Sequence, residues 1–340
     1  MKTKKKVYLI IAVVLLGITG FIFLSNNTTI KSKATAKQLT VEERILKARK
    51  AYYEMIGNSN SKPKVASKST KSYDVLVEIK NKSVCEKSNI TEYNKKNKKQ
   101  EEKVLESQED VIKQIEKITG NSVKEQVGYL INAITVSAND NQIIKIKKLN
   151  QVKSVSKLHK YYPTMANAIR EGTADLHEKL KSTKYTGEGV LIAVIDSGVN
   201  YRHKDMILGD NVSTKYSKKQ WQEKIKLLGY GKYFTEKVPF GYDYSCEVNE
   251  CNSNDNIHGC HVAGISAANG ETTGVAKNAQ IMGMKVFADN SGASEVDVIR
   301  AIEDAVKLGA DVINMSLGGA DSSVVDNNEY LQKTINEASK

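Results

Sequence analysis

Residues 190–196 read VLIAVID, an aliphatic run with no charge before its last residue, Asp196. Such a run is typical of a strand that is buried on both faces of a parallel sheet. Two later stretches have the same character, QIMGMKVF at 280–287 and DVINMSLGG at 311–319. Between them, SEVDVIRAIEDAVKLGA at 294–310 has apolar residues at helical spacing and a glycine near its end. The order strand, helix, strand predicts an α/β domain built on a parallel sheet.

Asp196 and His258 are the candidate functional pair. Polar groups at the carboxyl ends of parallel strands face the edge where such sheets bind ligands. A carboxylate there can hold one imidazole nitrogen, so that the other nitrogen can take a proton from a nucleophile. Each residue alone also fits a structural role, so the prediction depends on the pair. The helix predicted to begin at His258 can pack closely on the sheet because three of its residues are small: Gly259, Ala263 and Gly264.

A metal site in the same stretch, HGCH at 258–261, is the competing interpretation. On a helix His258 and His261 share a face, but Cys260 does not join them. Zinc would need further ligands, and Cys246 and Cys251 do not have a standard zinc-ligand spacing. The sequence therefore assigns no metal ligand, and packing explains Cys260 better than a role as nucleophile.

The N-terminus predicts export. MKTKKK is followed by eighteen uncharged residues at 7–24, which fits either a signal peptide or a membrane anchor within residues 1–36. The basic flank predicts that the remainder lies outside the cytoplasm, secreted or associated with the cell envelope. Residues 37–70 are interpreted as a linker or leader with one helical pattern at 40–57.

A disulfide is a further hypothesis. Outside the cell a disulfide is chemically allowed, and Cys246 and Cys251 bracket the short polar sequence EVNE. These two residues could close a small ring.

Residues 71–160 predict a small α+β unit. The expected elements alternate between strands and helices: a strand at 72–80, a helix at 100–120, a strand at 127–138, a helix at 140–151 capped by Asp140, and a strand at 152–158.

The charge is divided between the two halves of the chain. Residues 1–160 carry 32 lysines and arginines against 15 acidic residues, whereas residues 161–340 carry 19 against 24. This asymmetry predicts two units that attract each other, although the lysines also fit a solvated surface. No stacking pattern of aromatic and basic residues and no zinc-finger spacing is present, so nucleic acid is not predicted as a partner. A membrane is predicted to be contacted only through the N-terminal segment.

Four motifs resemble the subtilase family of serine proteases and occur in that family's order: VLIAVIDSGVNYRHKDM at 190–206, HGCHVAGI at 258–265, GVAKNAQIMGMKVF at 274–287 and GADVINMSLGG at 309–319. Residues 71–160 resemble the family's inhibitor-like propeptide. Three segments are similar in sequence to the lactocepin-type cell-envelope proteinases of Gram-positive bacteria: YYPTMANA, HKDM and KYFTEKVPFGYDY. The resemblance implies a subtilisin-like peptidase domain, in part, over residues 161–340.

The resemblance also implies roles for individual residues. Asp196 would be the orienting carboxylate and His258 the general base, with His261 helping to pack the helix. A short segment would pair with an extended polypeptide substrate through its main chain: Ser316, Leu317, Gly318 and Gly319. The propeptide tail near 157–163 would fill the same cleft, which makes the chain's own propeptide a partner.

No cofactor is assigned. Asp205 matches a calcium-ligand position of the family, but the loop at 265–274 is shorter than the family's calcium loop and the partner ligands are missing. Calcium therefore stays an open alternative.

The motif that carries the family's third catalytic residue does not occur in the 340 residues. The chain order of the triad is Asp, His, Ser, and no Gly-Thr-Ser-type motif follows Gly319. The expectation is a secreted serine endopeptidase that is truncated before its nucleophile and inactive alone. The alternative is a non-enzymatic product, a propeptide with half a domain, that binds or inhibits an intact relative.

Overall fold

The computed structural model describes residues 8–9 and most of the chain from residue 71 onwards. The described ranges in that part are 71–87, 92–163, 185–252, 256–288, 292–319 and 329–340. The chain divides into two compact units, and the described residues belong to the first, which comprises residues 1–12, 68–164 and 183–340. The predicted helix at 40–57 lies outside the described residues, as does the apolar segment 7–24 apart from Tyr8 and Leu9. Among the residues described, no helix is both long enough and apolar enough to cross a membrane.

A five-stranded parallel sheet is the centre of the C-terminal part. Its order is β1-β11-β7-β9-β8, with these bounds: β1 Tyr8–Leu9, β7 Leu191–Asp196, β8 Phe240–Asp243, β9 Gln280–Lys285 and β11 Val312–Asn314. Every side chain of β7 and β9 is buried, which explains their continuous apolar sequences. The predicted parallel-sheet α/β fold is confirmed.

Helices cover both faces of this sheet. Their bounds are: α5 Lys218–Leu228, α6 His258–Ala267, α7 Glu295–Leu308 and α8 Glu329–Ala338. Alternate residues of β7 face opposite sides, so that Ile192 and Val194 pack in one apolar cluster with α6. Leu191, Ala193 and Ile195 pack in the other cluster with α7 and α8.

The apolar stretch 311–319 forms two strands in different sheets, although its sequence predicts one. β11 ends at Asn314, and β12 (Leu317–Gly319) leaves the parallel sheet. β12 joins a three-stranded antiparallel sheet of order β10-β6-β12, in which β10 is Ala293–Ser294 and β6 is Lys160–Pro163. The strand divides because its hydrogen-bond partner changes from β7 to β6.

Residues 71–157 form a four-stranded antiparallel sheet of order β3-β4-β2-β5 with helices packed on it. The bounds are: β2 Ser72–Ile79, α1 Val84–Lys87, α2 Lys95–Glu106, α3 Glu109–Thr119, β3 Glu125–Val127, β4 Ala133–Asn139, α4 Asp140–Ile146 and β5 Val152–Lys157. The predicted order of strands and helices is present, with the short additional helix α1 and three further differences.

The first two differences involve Gln108, which divides the helix predicted at 100–120 into α2 and α3. Its side chain is fully buried and its Nε2 donates hydrogen bonds to Val127 O at 3.0 Å and Asn132 Oδ1 at 2.8 Å. The strand predicted at 127–138 is likewise divided into β3 and β4. The third difference is the cap of α4, since Asn139, not Asp140, accepts the N–H of Gln142 at 3.0 Å.

Candidate active site

Asp196 and His258 lie in direct contact. Asp196 is the last residue of β7 and is fully buried, while His258 is the first residue of α6 and is 9% exposed. The Nδ1 atom of His258 lies 2.8 Å from Oδ1 and 3.0 Å from Oδ2 of Asp196. Since an ionised carboxylate only accepts hydrogen bonds, this contact places the proton on Nδ1. Nε2 is then the nitrogen that can accept a proton, as a general base must.

Ser197 connects the two elements that carry this pair. Its hydroxyl donates to the carbonyl of Asn256 at 2.9 Å and accepts the N–H of Gly259 at 2.9 Å. Its own N–H donates to Asp196 Oδ1 at 2.6 Å. The sequence gives this role only one signal, a small hydroxyl residue directly after the buried carboxylate.

Gly259 permits the close approach of α6 to the end of β7. A Cβ atom built at this position would lie 2.3 Å from the carbonyl oxygen of Gly198 and 3.1 Å from Cβ of Asp196. The first contact is with backbone, which cannot rotate away. The predicted need for small residues at the start of this helix therefore applies at Gly259, whereas Gly264 has open space around it.

Replacing Gly259 by alanine is expected to destabilise the fold by about 1–3 kcal/mol, as overpacked core positions do. Thermal or denaturant unfolding measures this loss. Gly264→Ala is the matched control on the same helix, and it should be neutral or stabilise by up to about 1 kcal/mol because alanine is the better helix former. Equal effects at the two positions would contradict the steric argument.

His261 and Cys260 have no part in the pair. His261 is exposed, so the predicted role in packing the helix is wrong. Cys260 Sγ accepts the N–H of Asn200 at 3.2 Å, and burial raises the pKa of its thiol. Within the described ranges, no three His, Cys, Asp or Glu residues are grouped so that they could hold a metal ion.

Asp205 anchors a turn. Its carboxylate accepts the N–H of Glu271 at 3.0 Å and of Thr272 at 3.1 Å, one on each oxygen. Gly270 lies so close that a Cβ there would be 2.2 Å from Asp205 Oδ1. The carboxylate of Asp205 therefore holds the turn at 270–272, which lies in a different part of the chain, and each of its oxygens accepts a backbone N–H.

The predicted substrate strand pairs with the chain's own residues 160–163. β12 is antiparallel to β6, with Gly318 opposite Tyr162 and Gly319 opposite Tyr161. On its other side β6 pairs with β10, so β6 is the central strand of three. Three of the four predicted residues, Leu317, Gly318 and Gly319, belong to β12. Ser316 precedes the strand, and its Oγ accepts a hydrogen bond from the side chain of Asn314 at 3.1 Å.

Glu295, which is not among the residues predicted from the sequence, lies beside the start of β6. It is the first residue of α7 and is 1% exposed. Its carboxylate accepts the N–H of His159 at 3.0 Å, and its N–H donates to the carbonyl of His159 at 3.2 Å. These two hydrogen bonds hold the chain just before β6 begins.

The hypothesis of a disulfide between Cys246 and Cys251 is wrong, since both cysteines are free. Cys251 is fully buried and fills the space beside Gly241 and Gly283 on the sheet, where added Cβ atoms would lie 2.4 and 2.8 Å from its Sγ. Cys246 is exposed. The two side chains therefore have opposite surroundings.

Comparison with known proteins identifies a family and several relatives. Residues 187–340 match the subtilase family (Peptidase_S8). The PII-type proteinase of Lactococcus lactis subsp. cremoris is 35% identical over 261 residues, which are 72% of this chain and 14% of that protein. The PIII-type proteinase of strain SK11 is 35% identical over the same length and share of this chain, and over 13% of its own.

Among solved structures, fervidolysin from Fervidobacterium pennivorans has a TM-score of 0.47 at 19% identity, covering 81% of this chain and 39% of that one. The chain spans about one seventh of the length of these two proteinases. The chain belongs, through residues 187–340, to the subtilase family.

Proposed function

We propose that these residues belong to a secreted serine endopeptidase of the subtilisin type. The observation that carries the proposal is the contact between Asp196 and His258 Nδ1 at 2.8 Å, at the carboxyl end of a buried parallel strand. In this role Asp196 fixes the imidazole tautomer and stabilises the imidazolium, and His258 accepts the proton of a serine nucleophile. Secretion is supported by the basic and apolar N-terminal sequence.

The substrate in this proposal is an extended polypeptide. Main-chain pairing with Leu317, Gly318 and Gly319 gives affinity without reading side chains. Residues 160–163 already pair with this strand, which supports a role for residues 71–160 as a propeptide that fills the cleft. In that role the propeptide is both a folding partner and an inhibitor.

The nucleophile is not among the 340 residues in the motif that the family uses. The serine next to the pair, Ser197, has its hydroxyl engaged by Asn256 and Gly259. Residues 1–340 alone are therefore proposed not to hydrolyse peptide bonds at an enzymatic rate, since loss of the triad serine costs several orders of magnitude.

A fusion tests the proposal. Residues 1–340 are joined to the serine-bearing remainder of the subtilase domain of the PII-type proteinase, and labelling by a fluorophosphonate is followed together with hydrolysis of a protein substrate. The folded fusion should be labelled and active, and the 340-residue chain should not be. A fusion carrying His258→Ala should fold equally and lose labelling. A cooperatively folded fusion that neither labels nor hydrolyses would overturn the proposal.

The second candidate function is inhibition of an intact relative, and the observation that favours it is the pairing of β6 with the substrate strand. The 340-residue chain would then lower the activity of an intact subtilase in trans. Titration of the chain against the PII-type proteinase measures this, and no inhibition at micromolar concentration would exclude it.

A further inference from the structure

Among the residues that the structure describes, the ion pairs between residues 71–163 and the helices α7 and α8 have the same polarity. We call this contact the seam. Lys333 on α8 binds Glu78 at 2.6 Å and Glu86 at 2.8 Å. On α7, Lys307 binds Glu101 at 2.7 Å, and Arg300 lies 3.3 Å from Glu125. In each of these pairs the cation lies on α7 or α8 and the carboxylate lies within residues 71–163. We call residues 71–163 the N-terminal unit and residues 187–340 the subtilase part.

This polarity is the reverse of the overall charge distribution. Residues 1–160 have 32 basic against 15 acidic residues, and residues 161–340 have 19 against 24. Net charge acts at long range and brings the two parts together without fixing how they fit. The seam pairs are local and oppose the net charge of the part that carries them, so the overall attraction of two halves does not account for them.

The two ion pairs of Lys333 are the most suitable for testing how the N-terminal unit is recognised, because their members are largely buried. Glu78 is 2% exposed, Glu86 is 24% exposed and Lys333 is 20% exposed. Burial alone would raise the pKa of Glu78, but hydrogen bonds from Lys333 and Lys153 hold it below its usual value. Removing one member of such a desolvated pair leaves a charge without compensation, and placing like charges together is worse still.

Neighbouring contacts fix the position of Lys333 on the N-terminal unit. One turn earlier on α8, the hydroxyl of Tyr330 donates to Ser154 Oγ at 2.7 Å, and the hydroxyl of Ser154 donates to Glu78 Oε2 at 3.0 Å. Lys153 binds Glu78 from the solvent side at 3.0 Å. Glu78 therefore has a second cation, whereas Glu86 has Lys333 and the N–H of Ser83 at 2.9 Å.

We propose that Lys333 is a specificity-determining residue by which the subtilase part accepts its N-terminal unit. The partner that fits is a propeptide-like sheet unit with carboxylates at the positions of Glu78 and Glu86, and a unit with cations there is rejected. The description of this unit as a propeptide rests on the proposed function. The ion-pair geometry and the test below do not, because the test measures docking and not proteolysis.

The test is a charge exchange in the full 340-residue chain: Lys333→Glu, Glu86→Lys and the double variant. Docking is followed by hydrogen exchange of the Leu130 and Ile131 amides, which donate across the seam to Glu303 Oε1 at 2.7 and 3.3 Å. Each single variant should exchange these amides at least about tenfold faster. The double variant should recover part of that protection, because the ion pair between positions 333 and 86 is restored with reversed charges while Glu78 keeps only Lys153. Amides of the β2–β4 pairing report whether the unit itself stays folded.

The control pair is Lys113 and Glu109, which are 71% and 66% exposed on α3. Lys113→Glu and Glu109→Lys change the net charge by the same amounts and should leave exchange at Leu130 and Ile131 unchanged. If Lys333→Glu also unfolds the β2–β4 sheet, recovery in the double variant still supports the proposal. A double variant as unprotected as Lys333→Glu, or a Lys333→Glu chain protected like the wild type, would overturn it.

Discussion

Replacing Asp196 by asparagine is expected to lower peptide hydrolysis by about four orders of magnitude in the fusion that supplies the serine. The amide has nearly the shape of the carboxylate but no charge, and its NH₂ group favours the wrong imidazole tautomer. Because Leu317, Gly318 and Gly319 are untouched, the loss should be in kcat, with KM nearly unchanged. Steady-state kinetics on a peptide substrate measures both.

Asp243 provides a matched control for that variant. It is also buried and ends the nearby parallel strand β8, where its carboxylate binds Lys285 at 2.9 Å. Asp243→Asn removes a similar charge at the same edge of the sheet without touching His258, so it should lower stability and keep most of the kcat. A loss smaller than tenfold for Asp196→Asn, or an equal loss in both variants, would contradict the assigned role.

The sequence predicts the pair at this site because two simple rules act together. A continuous apolar run such as VLIAVID has to be buried on both faces, and the carboxyl ends of parallel strands lie at one edge of a sheet. These rules place Asp196 at the edge, and the small residues after His258 allow its helix to come close. Ser197 and Glu295 escaped prediction because their roles consist of hydrogen bonds to distant backbone, for which sequence spacing gives no signal.

The division of DVINMSLGG into β11 and β12 shows a different limit. Apart from Asp311 and Asn314 its side chains are apolar or small, and no change in periodicity marks the point where the strand leaves the parallel sheet. The division depends on which backbone lies alongside, β7 for Val312–Asn314 and β6 for Leu317–Gly319. A change of hydrogen-bond partner is a tertiary property, and local sequence does not encode it.

The polarity of the seam was beyond sequence reasoning for a related reason. The polar face of α7 has the composition of a solvated helix surface, but Glu303, Asp304 and Lys307 are buried against neighbouring elements. Counting charges over each half predicts attraction between a basic and an acidic unit. The contacts are made instead by the minority charge of each half, which only the docked structure reveals.

Replacing Lys307 by methionine is expected to lower the free energy of unfolding by about 3–5 kcal/mol near pH 8. The reason is that the buried carboxylates around position 307 then lose the cation that compensates their charge. Lys307 is 7% exposed and lies 2.7 Å from Glu101, 3.6 Å from Asp304 and 3.9 Å from Glu303. Methionine keeps most of the side-chain length and removes the charge. Denaturant unfolding measures the loss, and Lys113→Met, in an exposed pair, should cost less than about 1 kcal/mol.

The pH dependence separates the charge of Lys307 from its packing. Burial raises the pKa of Glu303 to about 7, although Lys307 opposes the rise. A raised carboxyl pKa means that this group's contribution to stability is complete below its unfolded value near 4.3 and is lost as the pH rises through about 7. Lys307 compensates only carboxylates that have ionised, so the deficit of Lys307→Met should be largest at pH 8.5 and shrink towards pH 5.5. Unfolding free energies of both proteins across that range test this, and a deficit that does not vary with pH would show that the methionine variant has lost packing and not a buried cation.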